Sequence, residues 1–279
     1  MKMARALGLC LLLWLIFAEA CMRFRKSDQE AKKDFLQNGL SLTTATITVD
    51  GRHIHYVLTG SGLLPTLFFV HGTPGSWDAF EQYLKDTALL KKFRLVSIDR
   101  PGFGHSDYGI PEHLARQSEL IGPLFKILDN GKPMFIAGHS FGGPMVVKIA
   151  ADNPGVFSGL VIISGSIDPA EEQPEKWRPL LYSTPLNYLV PGAMRPSNEE
   201  LWYLKKDLLD LQSDFKKIFC PVYFIHGTAD NWVPPGNVSY GKKMLVNAAR
   251  IDVTLIDGAN HFIPWTKFAE IRSILLKLY

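Results

Sequence analysis

Six short, largely apolar runs punctuate the chain: Leu67–Val70, Leu95–Ile98, Met134–Ala137, Leu160–Ile163, Val222–Ile225 and Val253–Ile256. Runs of this length read as strands buried on both faces. Between them lie segments whose apolar residues recur at helical spacing: Phe80–Leu90, His113–Leu128, Phe141–Ala151, Gly236–Val246 and Phe262–Leu278. Ahead of the first run, Thr46–Val49 and His53–Leu58 alternate apolar and polar residues around Asp50-Gly51, which is a hairpin signal. Strand and helix alternating in this way predict one mainly parallel sheet with helices on both faces.

The third run carries the strongest chemical signal. Met134-Phe135-Ile136-Ala137 passes directly into Gly138-His139-Ser140-Phe141-Gly142, a G-x-S-x-G sequence, and then into the helical stretch. Strand, tight turn and helix in that order form a nucleophile elbow, with Ser140 held in a strained conformation at the start of a helix. The flanking glycines remove Cβ atoms that would clash in so sharp a turn. The Phe141 N–H then points to where an oxyanion would develop.

Three further strand ends carry polar residues. Leu67–Val70 runs into His71-Gly72-Thr73-Pro74-Gly75-Ser76-Trp77, where the Thr73 N–H is the second candidate oxyanion donor. Val222–Ile225 ends in His226-Gly227-Thr228-Ala229-Asp230, and Val253–Ile256 ends in Asp257-Gly258-Ala259-Asn260-His261-Phe262. Open parallel sheets place their sites beyond the carboxyl ends of strands, so Ser140, Asp230 and His261 are candidates for nucleophile, acid and base. Asp168 is the runner-up acid, and His139 and His226 are the rival bases, with His226 expected to brace the acid loop. His71, Asp99 and Arg100 are expected to shape loops.

These segments, together with Asp99-Arg100-Pro101-Gly102-Phe103-Gly104-His105-Ser106, resemble the α/β-hydrolase superfamily over nearly the whole of Thr43 to Tyr279. The chain order Ser140, Asp230, His261 is that superfamily's order. The resemblance implies an α/β-hydrolase fold and a serine nucleophile, and leaves the substrate open. The H-G-x-P-G-S-W loop is also similar to that of epoxide hydrolases, which carry aspartate where this chain has Ser140. Proline iminopeptidases favour H-G-G-P-G and a tryptophan after the serine, and Thr73 and Phe141 depart from both.

About 55 residues separate Ser164 from Cys220, too many for a plain crossover. The stretch is rich in aromatic and leucine residues and interrupted by six prolines in its first half. The resemblance implies that it is a lid, over about residues 168–217, inserted before the strand that leads to Asp230. Trp177, Tyr182 and Trp202 are its candidate substrate-pocket residues.

Composition narrows the classes. The 279 residues are 47% hydrophobic with a net charge of +3, enough for one sizeable core. Without a basic stripe, nucleic acid is excluded as a partner. No metal-ligand spacing or dinucleotide loop is present, so neither metal nor cofactor is expected. Met1 to Arg5 is a basic n-region, Leu7 to Phe17 an apolar h-region, and Ala18-Glu19-Ala20 a small-x-small site. Residues 1–20 are therefore expected to be a signal peptide. Cleavage would leave Cys21 at the N-terminus for lipid attachment, as in a bacterial lipoprotein, although Phe17 and Glu19 depart from the usual lipobox. Residues 21–42 are expected to be a tether, charged and running into a short helix over Met22 to Gln37, and 43–279 the catalytic domain. The expected protein is an exported, lipid-anchored serine hydrolase of the cell envelope, acting on a small to medium carboxylic ester; secretion or retention of an uncleaved anchor are the alternatives. A peptidase or C–C bond hydrolase with the same triad, and a non-catalytic binding protein of the same fold, are the other functional readings. For the peptidase, Glu171, Glu172, Glu175, Glu199 and Glu200 are available to hold a substrate amine.

Overall fold

The apolar runs pair edge to edge into a single sheet, and the computed structural model describes residues 2–20 and 24–279. Helices α1 (Lys2–Ala20) and α2 (Asp28–Gln37) precede the hairpin of β1 (Thr43–Val49) and β2 (Arg52–Thr59). Then follow β3 (Thr66–Val70), α3 (Glu81–Leu84), α4 (Thr87–Leu90), β4 (Arg94–Ile98), α5 (Leu114–Leu128), β5 (Met134–His139), α6 (Gly142–Asp152) and β6 (Gly159–Ile163). The chain continues through α7 (Arg178–Tyr182), α8 (Met194–Leu211), β7 (Val222–Gly227), α9 (Gly236–Met244), β8 (Ile251–Ile256), α10 (Ile263–Thr266) and α11 (Phe268–Leu275).

The eight strands run in the order β1-β2-β4-β3-β5-β6-β7-β8. The hairpin joins β4 antiparallel, and every pairing from β4 to β8 is parallel. Alternation along each strand sends side chains to two separate cores. In β3, Phe68 and Val70 join Ile136 and Leu160 under α5, α6 and α8. Leu67 and Phe69 face the other way, with Ala137, Val161 and the rings of Trp77, Phe80 and Tyr83. Order reverses on either side of β3, whose C-terminal end adjoins that of β5, so a crevice opens there.

Two predicted helices are broken. Phe80–Leu90 forms a 3₁₀ turn, Trp77–Phe80, and then α3 and α4, because Asp86 leaves the helix to cap α4. Its Oδ1 accepts from the Leu89 N–H at 2.9 Å. The C-terminal helix is split at Lys267, whose φ of −125° is not helical.

Within the described residues 24–42 the tether runs into the expected short helix, and that helix docks on the sheet. Ser27 caps α2, which buries Ala31 and Phe35 in the second core. The Phe35 ring lies 6.5 Å from Trp77, with Lys85 Nζ 4.9 Å above its centre. Lys26 pairs with Asp34 and Glu81. Buried His55 of β2 bonds Asp99 at 2.8 Å through Nδ1, and its Nε2 forms an ion pair with Asp28 of α2 at 3.2 Å. Burial alone would pull the His55 pKa down, but the two carboxylates outweigh it and hold it above the ordinary histidine value. The sequence hid this docking because only Ala31 and Phe35 turn inward in an otherwise polar helix.

The segment expected to be a leader forms α1 and lies against the lid. Trp14 Nε1 donates to the Leu189 carbonyl at 2.9 Å, Gly192 N donates to that of Ala18 at 2.8 Å, and Arg195 pairs with Glu19. No helix among the described residues is long and apolar enough to cross a membrane. Cys21 lies outside the described residues.

Removing a fully buried phenylalanine leaves a cavity as well as losing transfer energy. Phe35→Ala is therefore expected to lower the unfolding free energy by about 3–5 kcal/mol, measured by urea denaturation. A loss under about 0.5 kcal/mol, as at an exposed position, would make this segment a tether after all.

Candidate active site

At the end of β5 the backbone turns so tightly that Ser140 sits at φ +56°, in the left-handed region. A Cβ at Gly138 would lie 2.1 Å from the Gly142 carbonyl oxygen, and one at Gly142 would lie 2.3 Å from that of Val70. Both glycines are thus required sterically. Ser140 N donates to Ile163 O at 3.0 Å, tying the elbow to β6. The loop after β3 lies against it, since a Cβ at Gly72 would come within 2.9 Å of Ser140 Cβ. Among the described residues, neither the Thr73 nor the Phe141 N–H has an acceptor. Phe141 is also the N-cap of α6, so the helix dipole adds to its N–H.

Asp230 and His261 meet at the ends of β7 and β8. His261 Nδ1 donates to Asp230 Oδ2 at 2.8 Å. Asp230 Oδ1 accepts from the Trp232 and Val233 N–H groups at 3.0 and 2.8 Å. Burial would raise the Asp230 pKa, but the bond from His261 and these N–H groups outweigh it and hold the carboxylate below its ordinary range. His261 is brought to the elbow by His139, whose Nε2 donates to the His261 carbonyl at 3.0 Å and whose ring lies 4.8 Å from the His261 ring. Ser140 Oγ and His261 Nε2 are not hydrogen-bonded to one another in this arrangement, and such bonds often close only around substrate.

The rival groups are occupied elsewhere. Burial, then the neighbouring His261, pushes the His139 pKa down to about 3, so this ring is neutral. His226 donates to Val233 O at 2.8 Å and is also lowered by burial, bracing the acid loop. Asp168 caps its own turn through Ala170 N.

Arg100 underlies the whole arrangement. Fully buried between the rings of Phe103 and Phe141, it uses all five of its N–H donors. Nε and Nη2 donate to the His71 and Gly72 carbonyls, each at 3.0 Å, and Nη1 donates to Gln117 Oε1 at 2.9 Å. The remaining two donors clasp both oxygens of Glu200, on α8, at 2.8 Å. His71, held neutral by burial and by the Arg100 charge, accepts from Arg100 N through Nε2 and donates to Gly72 O through Nδ1.

The lid meets the site through α8: Thr73 Oγ1 donates to Ser197 Oγ at 2.7 Å. Of the expected pocket residues, Trp177 is exposed with the Arg178 guanidinium over its ring. Tyr182 packs toward Tyr203 at 6.4 Å, and Trp202 is half-buried on α8. Sequence reasoning missed an aromatic row beside His261: Trp232 and Phe262, which contact its ring, and Trp265, which contacts Phe262. Their signal was proximity alone, Trp232 following Asp230 by two positions and Phe262 following His261 directly.

Comparison with known proteins agrees with this fold. Residues 65–190 match the family described as the alpha/beta hydrolase fold. Epoxide hydrolase 4 of Mus musculus is 28% identical over 158 residues, covering 55% of this chain and 43% of the relative. The chain thus matches less than half the length of that curated relative. Among solved structures, a putative aryl esterase from Burkholderia cenocepacia superposes with a TM-score of 0.66 at 19% identity, over 84% of this chain and 97% of that one. A membrane phospholipase A, described as a bacterial virulence factor, gives 0.63 at 18% identity, over 99% and 95%. Both show the fold.

Breaking a buried ion pair from one side strands the remaining charge, which costs about 3–5 kcal/mol. Glu200→Ala is expected to destabilise by that amount in guanidinium denaturation, and Glu200→Gln by less, since it keeps an acceptor. If Glu200→Ala stays within about 1 kcal/mol of the parent, a typical single-mutant effect, Arg100 does not depend on α8.

Proposed function

We propose that this chain, which belongs to the α/β-hydrolase superfamily, is a serine hydrolase that cleaves a carboxylic ester of small to medium size. The observation that carries the reading is the strained Ser140 between two unpaired N–H groups, beside a histidine already oriented by a carboxylate. Ser140 Oγ attacks the ester carbonyl while His261 Nε2 takes the hydroxyl proton. The Thr73 and Phe141 N–H groups hold the oxyanion, and Asp230 stabilises the imidazolium. The proton then passes from His261 to the departing alcohol oxygen. Water, deprotonated by the same imidazole, releases the acid and restores Ser140. No step calls on a metal or cofactor.

The curated relatives named as epoxide hydrolases raise a different chemistry. A serine at the nucleophile position favours acyl transfer over epoxide opening for this chain. Amide cleavage is the second reading, supported by one acid. Ser166 N donates to the Ser140 carbonyl at 3.3 Å, and Ser166 Oγ donates to Glu172, whose pKa burial raises. Glu175, Glu199 and Glu200 are engaged by Arg178, Tyr203 and Arg100 and are poor candidates for holding an amine.

A fluorophosphonate probe should label Ser140, and Ser140→Ala or His261→Ala should lower kcat on an aryl ester by about 10⁴- to 10⁶-fold without additivity. Absence of labelling would favour a silent binding protein, and faster turnover of aminoacyl amides than of esters would favour the peptidase.

For location, the order of n-region, h-region, Ala20 and Cys21 supports export and lipid attachment at Cys21. Intact-mass spectrometry of the native protein should find residues 1–20 absent and Cys21 carrying a diacylglyceryl group, with Cys21→Ser releasing the protein from membranes. An unmodified Cys21 at the N-terminus would indicate simple secretion, and retained residues 1–20 would mean that α1 stays on the lid.

A further inference from the structure

His261 is ringed by exposed aromatic side chains that the reaction as described does not use. Trp232 stacks on the imidazole with ring centres 5.6 Å apart and planes 30° apart. Phe262 stands 5.0 Å from Trp232 at 70° and 5.9 Å from His261. Trp265 continues the row 6.1 Å from Phe262 and meets His139 edge-on at 5.3 Å. These rings are 68%, 40% and 44% exposed, although each touches another ring of the group.

Their backbones are fixed. Trp232 N is held by the Asp230 carboxylate, Phe262 N by Asn260 Oδ1 at 3.0 Å, and Trp265 N by Phe262 O at 3.1 Å. An apolar patch so placed is a contact surface waiting for an occupant, and catalytic geometry says which occupant. With Nδ1 taken by Asp230, His261 can return a proton only through Nε2. Whatever alcohol accepts that proton must stand beside the imidazole, whose ring both the stacked indole of Trp232 and the Phe262 ring contact. Flat rings stack on such a surface, and the row presents no side-chain charge to hold an ionic group.

We infer that Trp232, Phe262 and Trp265 form the leaving-group subsite, which selects esters of apolar, ring-bearing alcohols. The inference rests on the serine-hydrolase reading above and adds the side of the substrate on which specificity lies. The lid segment is left to contact the acyl side.

The test compares acetates of two alcohols of similar acidity, 2-naphthylmethanol and ethanol, so that intrinsic reactivity cancels. One ring contact supplies a factor of roughly 2–12. The ratio of kcat/KM for the naphthylmethyl ester to that for the ethyl ester should fall about five- to tenfold in Trp232→Ala. It should fall by less in Trp265→Ala, and Trp232→Phe should restore most of it. In a second series, methyl esters of acetate and hexanoate, the acyl-length ratio should move less than about twofold. An unmoved naphthylmethyl-to-ethyl ratio in both alanine variants, or an equal change in the acyl series, overturns the inference. So does an unmoved ratio accompanied by altered oligomeric mass or vesicle binding in Trp232→Ala, which would assign the rings to a second copy or a bilayer. Fluorophosphonate labelling separates the two levels. If Ser140 is labelled but the naphthylmethyl ester is not turned over, this inference fails and the serine nucleophile stands. If Ser140 is unlabelled and neither series is cleaved, both fail.

Discussion

One buried guanidinium fixes the relation between the loop after β3 and two helices that would otherwise be independent. Arg100 sits just beyond β4, and its donors end on the His71 and Gly72 carbonyls, on Gln117 of α5 and on Glu200 of the lid helix. A charge taken fully out of water is tolerable only when compensated in charge and in hydrogen bonds. Satisfying Arg100 therefore dictates where the neighbouring backbone can go. The carbonyls of residues 71 and 72 are turned toward it, and the chain leaving Gly72 presents its next N–H, that of Thr73, on the other side. The loop that carries Thr73 is shaped from behind by an arginine that is itself fully buried.

The same burial sorts the histidines by task. His71, His139 and His226 are all pulled toward the neutral form by desolvation, and each spends a ring N–H on a backbone carbonyl. They act as rigid neutral struts. Of the candidate bases, only His261 has a carboxylate on Nδ1 at 2.8 Å while its other nitrogen remains uncommitted. The His139 strut adds a second constraint, because it anchors the His261 backbone to the residue before Ser140. Base and nucleophile are thereby linked through the main chain as well as through the chemistry they are proposed to share.

The lid belongs to the same network at one end and is looser at the other. Its long helix, α8, is held to the site by the Glu200 clasp and by the bond from Thr73 to Ser197. The shorter α7 and the turn after it bury no residue, and the turn receives α1. The lid is therefore tied most firmly beside the loop that carries Thr73, while the exposed aromatic row beside His261 comes from the segments after β7 and β8.

The sequence alone determined the strands, their type and the elbow, because each rests on neighbouring residues: an apolar run, two glycines flanking Ser140, a polar turn after a strand. It also located Asp230 and His261, since in a parallel sheet the carboxyl end of every strand faces the same edge. Burial and distance along the chain hid the rest. Nothing near Arg100 in sequence announces Glu200, a hundred positions on, and two inward side chains were too few to mark α2 as core. Breaks at Asp86 and Lys267 likewise escaped the helical spacing, because capping and packing overrode it. The pairing of Thr73 with Ser197 and the aromatic row beside His261 were decided by tertiary structure alone. Each depends on which strand ends become neighbours, and the order β5-β6-β7-β8 exists only once the sheet has formed.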